Sequence, residues 1–455
     1  MASRAWTPNS LVWQMAPPFD QAADLARQVN SAPLVAQVLA NRGAAAPQAA
    51  EAFLNPKLTD LHDPSLLAGT EQAAERLARA VRDSEKMVIY GDYDVDGMTA
   101  AAILHACLHM LGSAADFYVP HRLEEGYGVN VEAVRKIVAD GARLIVTVDC
   151  GISAAGPLAE AVGAGVDVIV TDHHSPPDEL PEVTAIVHPR LPGRPYPNPD
   201  LSGAGVAFKL AWQLARAVCG RDRVDEPMRN FLLDATCLAA LGTIADVVPL
   251  VGENRTLATF GLRALPGTKH PGLRALLESA NLVGEQLDAY HVGFMLAPRL
   301  NAAGRMGHAR LAVELLTNAS PERSRAIAAY LNTQNAERQK VERAIAAEAA
   351  QMVVDQGLDS PDSRIIVLAS ENWHGGVIGI VASRMVEKFS RPTILVAFNG
   401  DGGQGSGRSI AGFHLRDALA ALNVSLRYLD SDTAADLGLR DQFRAAAIQA
   451  FEFTY

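Results

Sequence analysis

Short apolar runs separated by helix-length segments set the texture of this chain from Met87 onward. MVIY begins at Met87, LIVTV spans Leu144 to Val148, VIVT spans Val168 to Thr171, and AIV spans Ala185 to Val187. Such alternation predicts an α/β unit with a mostly parallel sheet. Ahead of it, Ala22 to Val81 mixes turns with helical periodicity, as in LAGTEQAAERLARAV, where Leu77, Ala80 and Val81 share one face. Behind it, Glu322 to Gln356 lacks Gly and Pro and is rich in Ala, Glu, Gln and Arg, which predicts a long connecting helix. RIIVLAS at Arg364 to Ser370 and PTILVAF at Pro392 to Phe398 then predict strands flanking a helix at Val377 to Lys388. The expected division is a helical lead-in (1–80), a first α/β domain (81–318), a connecting helix (319–360) and a smaller α/β domain (361–455).

Composition narrows the class. A chain of 455 residues, 49% hydrophobic and 20% charged, is expected to fold into two or three domains. Its formal net charge of -11 argues against a basic coat for polyanions, so any nucleic-acid site must be local. Cys107, Cys150, Cys219 and Cys237 have neither zinc-site spacing nor disulfide density and read as reduced thiols of a cytoplasmic protein. Neither a signal peptide nor a membrane segment is expected, because Phe231 to Val251, the most apolar stretch, is broken by Asp234 and Asp246.

Three of the strand-like runs end in acids: Asp92, Asp94 and Asp96 in GDYDVDG, Asp149 in VTVDCG, and Asp172 in VTDHH, which also supplies His173 and His174. Carboxyl ends of parallel strands converge on one edge, so these residues are expected to meet. DYDVDG opens like a calcium-binding EF-hand loop, but the twelfth position from Asp92 is Ile103 where that loop needs glutamate. Asp246, alone in the apolar LGTIADVVPL, is a further candidate. Gathered carboxylates repel unless cations neutralise them. Oxygen ligands with one or two imidazoles and no thiolate favour manganese or magnesium, and the ligand count suits two ions. A pair of ions that activates water at phosphorus makes phosphoester hydrolysis the expected reaction.

In this order and spacing, GDYDVDG, VTVDCG, VTDHH and LGTIADVVP resemble the four motifs of the DHH phosphoesterase superfamily. The flanking FLNPKLTDLHDP, PHRLEEGYG and APRLNAAGRM are similar to its RecJ-like branch. The resemblance implies that Asp94 and Asp149 hold one ion, that Asp96, His173 and Asp246 hold the second with Asp149 bridging, and that His174 lies beside the scissile phosphate. Asp92 and Asp172 are then residues that orient ligands. Arg299, Asn301 and Arg305 in APRLNAAGR, expected as a turn-prone stretch, would bind phosphate. The glycine-rich NGDGGQGSGRS, with Ser406, Gly407, Arg408 and Ser409, and His374 in WHGGVIGIVASR resemble the second domain of these proteins, DHHA1, which grips the terminal phosphate.

Other residues carry weaker signals. Arg323, Arg325, Arg338, Lys340 and Arg343 on the long helix would guide a polyanion, Tyr127 could stack on a base, and His105 and His109, one turn apart, read as buried rather than metal-binding. The expected glycine-histidine motif and OB-fold after DALAAL are absent from NVSLRYLDSDTAADLGLRDQFRAAAIQAFEFTY. The function implied is a 5′-to-3′ exonuclease acting on single-stranded DNA in recombination and repair, releasing 5′-mononucleotides, with a helicase and a single-strand-binding protein as possible partners. A relative acting on short oligonucleotides or cyclic dinucleotides, and an inactive scaffold that binds single strands, are the alternatives.

Overall fold

A computed structural model of the chain describes residues 14–121, 125, 128–220, 223–400 and 402–420. Internal contacts divide it into one compact unit of residues 15–335 and another from residue 336 onward. In the first, α1 (Ala22–Gln28), α2 (Pro33–Asn41) and α3 (Pro47–Leu54) enclose a small core of Leu25, Ala26, Ala36, Leu39 and Ala50. Pro33 and Pro47 start their helices where a missing N–H costs nothing. The helix α4 (Thr70–Arg82) instead buries Ala73, Ala74, Leu77 and Ala80 in the main core beside the sheet.

That sheet is parallel throughout, in the order β2-β1-β3-β4-β5, from β1 (Met87–Gly91), β2 (Asp116–Tyr118), β3 (Leu144–Val148), β4 (Asp167–Thr171) and β5 (Ala185–Val187). Its two-residue period divides two cores. Met87, Ile89, Val146 and Val148 face one, and Val88, Tyr90, Ile145, Val168 and Val170 face the other. Crossover helices α5 (Val95–Met110), α6 (Val131–Ala139) and α7 (Ala155–Gly163) link the strands, with α6 and α7 covering the second face. On the first face α5 packs with α8 (Gly203–Cys219) and α9 (Glu226–Ala245). Further helices are α10 (Gly252–Ala264), α11 (Pro271–Ser279), α12 (Ala297–Arg305) and α13 (Ala309–Leu316).

The segment before α4 is fastened by a buried ion pair. Lys209 of α8 and Glu253 of α10 are in contact with no solvent exposure of either side chain. Lys209 Nζ donates to the His62 carbonyl at 2.6 Å, while Glu253 accepts from the His62 amide at 2.8 Å and the Tyr196 hydroxyl at 2.7 Å. Every oxygen of the carboxylate is thus engaged, which is the condition for holding such a pair out of water.

The long helix α14 runs from Pro321 to Asp355. In the second unit, Ile345, Ala349 and Val353 of this helix share a core with β6 (Ile366–Ser370), α15 (Gly375–Phe389) and β7 (Thr393–Asn399). β6 and β7 pair in parallel, and β8 (Gly402–Arg408) adds antiparallel to β7. The glycine run from Gly402 is therefore a strand registered against β7 along its length. It packs closely on α15: a Cβ on Gly375 would fall 2.3 Å from Gln404 Oε1, and one on Gly379 2.9 Å from Ser406 Oγ. The tail from residue 421 and Tyr127 lie outside the described residues.

Replacing Lys209 by Met leaves Glu253 charged and without its cation in the core, and is expected to lower stability by about 3–5 kcal/mol. Urea unfolding checks this; a midpoint equal to that of the parent would contradict the role given to the pair.

Candidate metal centre

Strand register builds the centre. Gly91 lies opposite Val148, and Val148 opposite Thr171. The next residues, Asp92, Asp149 and Asp172, therefore leave the sheet side by side, about 4.8 Å from strand to strand. Asp149 turns out of its strand in the left-handed region, at φ 61°, and its amide donates to the Thr171 carbonyl at 2.9 Å. From β1 the chain enters α5 through Asp94, whose carboxylate caps the helix by accepting from the Gly97 amide at 3.1 Å. Asp96, one residue into the first turn, is 1% exposed.

A second helix end orients Asp96. Its carboxylate accepts from the amides of Gly203 and Ala204, at 2.6 and 2.9 Å, where the first turn of α8 presents free N–H groups to an anion. Ser202 caps that helix through the Gly205 amide and shares a hydrogen bond with the Thr243 hydroxyl of α9 at 2.9 Å. Packing here tolerates only glycine. A Cβ on Gly203 would lie 2.4 Å from Asp149 Oδ1, one on Gly242 2.4 Å from Asp96 Oδ1, and one on Gly97 2.7 Å from the Asp92 Cβ. Gly203 and Gly242 escaped the sequence reading; their only signal is the serine-glycine pair before α8 and the glycine four residues before Asp246.

The remaining candidate ligands arrive from two directions. His173 follows Asp172 past β4, and Asp246 caps the C-terminus of α9. His173 Nε2 lies 3.1 Å from Asp149 Oδ1, 3.6 Å from Asp246 Oδ2 and 3.8 Å from Asp96 Oδ2. Both His173 Nε2 and Asp149 Oδ1 are buried without a hydrogen-bond partner. At 3.1 Å they meet without hydrogen-bond alignment, as two lone pairs directed at a common third point would. Among the described residues, three groups have candidate ligand atoms within 4.8 Å of one another: Asp96, His173 and Asp246; Asp92, Asp94 and Asp149; and Asp149, His173 and His174. Asp149 belongs to two of them, so the donors fit two cations sharing one carboxylate. Asp92 is brought to the cage itself, beside Asp94.

Electrostatics agree with this fit. Burial, then the neighbouring carboxylates, pushes Asp96 and Asp149 well above the usual carboxylate range. Burial and Asp94 raise Asp246 to about 6. Burial and the adjacent His174 lower His173 to about 4, which leaves a neutral imidazole able to donate its lone pair. His174 goes the other way, to about 9, because its Nδ1 bonds Asp172 Oδ1 at 2.7 Å. Asp172 stays low although burial opposes it, held by His174 and by the amides of Ile152, at 3.0 Å, and His174, at 3.1 Å. Its oxygens are committed, so it positions His174.

APRLNAAGR is helical, not turn-prone. Pro298 sits at the start of α12, where a wider π-helical stretch, His291–Leu296, leaves room for its ring and missing N–H. Gly304 is required by contact, since its Cβ would lie 2.3 Å from the Tyr93 carbonyl. Asn301 is brought to the centre: its side-chain oxygen accepts from the Val95 amide at 3.2 Å. Arg299 Nε donates to Asn332 of α14 at 3.1 Å, and Arg305 closes α12. His374, Ser406, Gly407, Arg408 and Ser409 form a group of their own in the second unit. There His374 Nδ1 caps α15 through Gly376, Arg408 donates to the Gly407 carbonyl at 2.7 Å, and Ser409 Oγ donates to the Phe413 carbonyl at 2.7 Å.

The other sequence signals resolve plainly. Arg323, Arg325, Arg338 and Lys340 pair with Glu314, Glu322, Glu342 and Glu337, so α14 presents mixed rather than basic charge there. His105 and His109 stack at 6.4 Å and enter no ligand group among the described residues, but they are not buried as expected: His105 is half-buried and His109 exposed. The four cysteines are unpaired thiols, and among the described residues no helix is long and apolar enough to cross a membrane.

Comparison with known proteins supports the motif reading. Residues 86–240 match the DHH family, N-terminal domain, and residues 362–427 the DHHA1 domain. The chain is 44% identical to the single-stranded-DNA-specific exonuclease RecJ of Bacillus subtilis (strain 168), over 90% of this chain and 51% of that protein. It is 39% identical to the protein of the same name from Escherichia coli (strain K12), over 93% of this chain and 75% of that one. The crystal structure of RecJ in complex with Mn2+ from Thermus thermophilus superposes with a TM-score of 0.77 at 34% identity, over 96% of this chain and 62% of that one. The chain thus spans about half the length of the B. subtilis relative.

Protonated carboxylates must ionise to receive a cation, so Mn2+ binding is expected to release protons and to tighten as pH rises through about 6, where Asp246 titrates. Calorimetry in buffers of different ionisation enthalpy reads the proton release. Gly242→Ala, which forces Asp96 aside, should weaken binding by about 10- to 100-fold; affinity independent of both pH and this substitution would contradict the cage.

Proposed function

The chain belongs to the RecJ family, whose members join a DHH domain to a DHHA1 domain, and from that premise we propose that it is a two-metal-dependent exonuclease on single-stranded DNA. It works 5′ to 3′ and releases 5′-mononucleotides. The observation that carries this reading is the buried pair Asp149 Oδ1 and His173 Nε2, unpartnered and aimed into one carboxylate cage.

Roles follow from the environments. Asp96, His173 and Asp246 would hold one divalent ion, manganese or magnesium, and Asp94 and Asp149 the other, with Asp149 shared and Asp92 beside them. When bound, the pair neutralises the carboxylates, activates water and stabilises the leaving oxygen at phosphorus. The α8 amides fix the Asp96 carboxylate so that it need not reorganise. His174, kept protonated by Asp172, presents a cation to the scissile phosphate, and Arg299 and Arg305 extend phosphate binding along α12. His374 and Ser406 to Ser409 would receive the terminal phosphate. Asn301 acts by holding the first turn of α5 in place.

On this reading the macromolecular partner is single-stranded DNA, and a helicase and a single-strand-binding protein would open and coat that strand. The setting is cytoplasmic, in recombination and repair. Their support is the family membership and the chemistry of the cage.

With Mn2+, the protein should shorten an end-labelled single-stranded oligonucleotide, and Asp149→Ala should reduce the rate by at least about 1000-fold, since both ions lose a ligand. An uncut oligonucleotide beside a hydrolysed dinucleotide would instead establish a phosphodiesterase for short substrates. His174 is charged below about 9, so kcat/KM should fall as pH rises past that value. Asp172→Asn removes the negative charge that holds the proton on His174 and should move this limb down toward about 6.5; a limb that stays in place would remove His174 from the reaction.

A further inference from the structure

We infer that Tyr290 and Phe294 form a stacking platform for a nucleobase of the bound strand, several nucleotides from the reacting phosphate; this rests on the nuclease reading above. The two side chains are 61% and 70% exposed, unusual for neighbouring large aromatics on a free surface. Their rings stack on each other with centroids 4.8 Å apart and 27° between planes, so a preordered aromatic face already stands in solvent. Every base offers such a face a partner, without regard to sequence.

Position supplies the second argument. Phe294 belongs to the π-helical stretch that runs directly into α12. Residues 290, 294, 298, 301 and 305 recur at helical spacing and none of them is buried, so one accessible stripe leads from the aromatic pair to Asn301 and Arg305. Asn301 holds the Val95 amide, between Asp94 and Asp96 of the cage. Along the axis Phe294 and Tyr290 stand roughly 10 and 16 Å before Asn301, at about 1.5 Å per residue. A strand stacked at about 3.4 Å per nucleotide covers that with about three to five nucleotides. Asp288, two residues before Tyr290 in the chain, is occupied by the His291 amide at 3.1 Å and its ring at 2.7 Å, which moderates its repulsion of phosphates.

The test compares substrates by length. For the Tyr290→Ala/Phe294→Ala variant, the ratio of kcat/KM on a 12-nucleotide single strand to that on a dinucleotide should fall about 10-fold or more. Phe294→Trp should restore the ratio, and Phe294→Leu should not. A single abasic position scanned through the 12-mer should cost the parent affinity at one place and cost the double variant nothing there. An unchanged ratio, an equal loss on both substrates, or full activity with Phe294→Leu would overturn the platform. So would a change in oligomeric state by sedimentation, which would mark the pair as a contact between copies of the chain. If the parent protein cuts neither substrate, the nuclease reading fails instead, which separates the two outcomes.

Discussion

Carboxylates crowded at the edge of a buried sheet repel one another, and that repulsion is the constraint around which this fold is arranged. Asp92, Asp94, Asp96, Asp149 and Asp246 converge from strand ends, a helix start and a helix end. Without cations the protein meets the conflict by raising carboxyl affinities for protons, as at Asp96 and Asp149. Two cations would resolve it without protonation, and Asp149 Oδ1 and His173 Nε2, buried without a hydrogen-bond partner, are the atoms such a cation would meet. Much of the surrounding architecture serves this convergence: the α8 N-terminus aimed at Asp96, the glycines at 97, 203 and 242 that let backbone and carboxylate approach, and the left-handed turn at Asp149.

A neighbouring pair of identical side chains shows how environment divides labour. His173 is buried among ligands and neutral, suited to donate a lone pair. His174, one residue on and half-buried, is locked to Asp172 and charged, suited to meet an anion. Neither property lies in the dipeptide. Asp172 separates them by turning its carboxylate away from the cage and onto the His174 ring and the loop amides.

Where the sequence was informative, physics made it so. β1, β3 and β4 are continuous apolar runs because both faces of a parallel sheet are covered, and their acids stand at the edge because strand direction puts them there. The four-motif pattern points to acids and a histidine that the structure gathers at that edge. β2 was invisible: three residues, Asp-Phe-Tyr, carry no period, and only pairing with β1 makes them a strand. APRLNAAGR misled because Pro and Gly mark turns locally, whereas here Pro298 follows a widened helical turn and Gly304 permits a close contact with Tyr93 of a distant segment; the glycine run carries no strand period of its own, and only pairing with β7 makes it a strand. Gly203, Gly242 and the placement of Asp92 beside Asp94 were likewise settled by packing between segments far apart in the chain, which no local pattern encodes.

The most direct test of the cage is crystallographic: crystals grown with Mn2+ and measured at a wavelength where manganese scatters anomalously. Two peaks about 3.5–4 Å apart are expected, each roughly 2–2.5 Å from its ligand oxygens or nitrogen, with Asp149 touching both and His173 one. A well-ordered, folded protein with no anomalous density between Asp149, His173 and Asp246 would contradict the account.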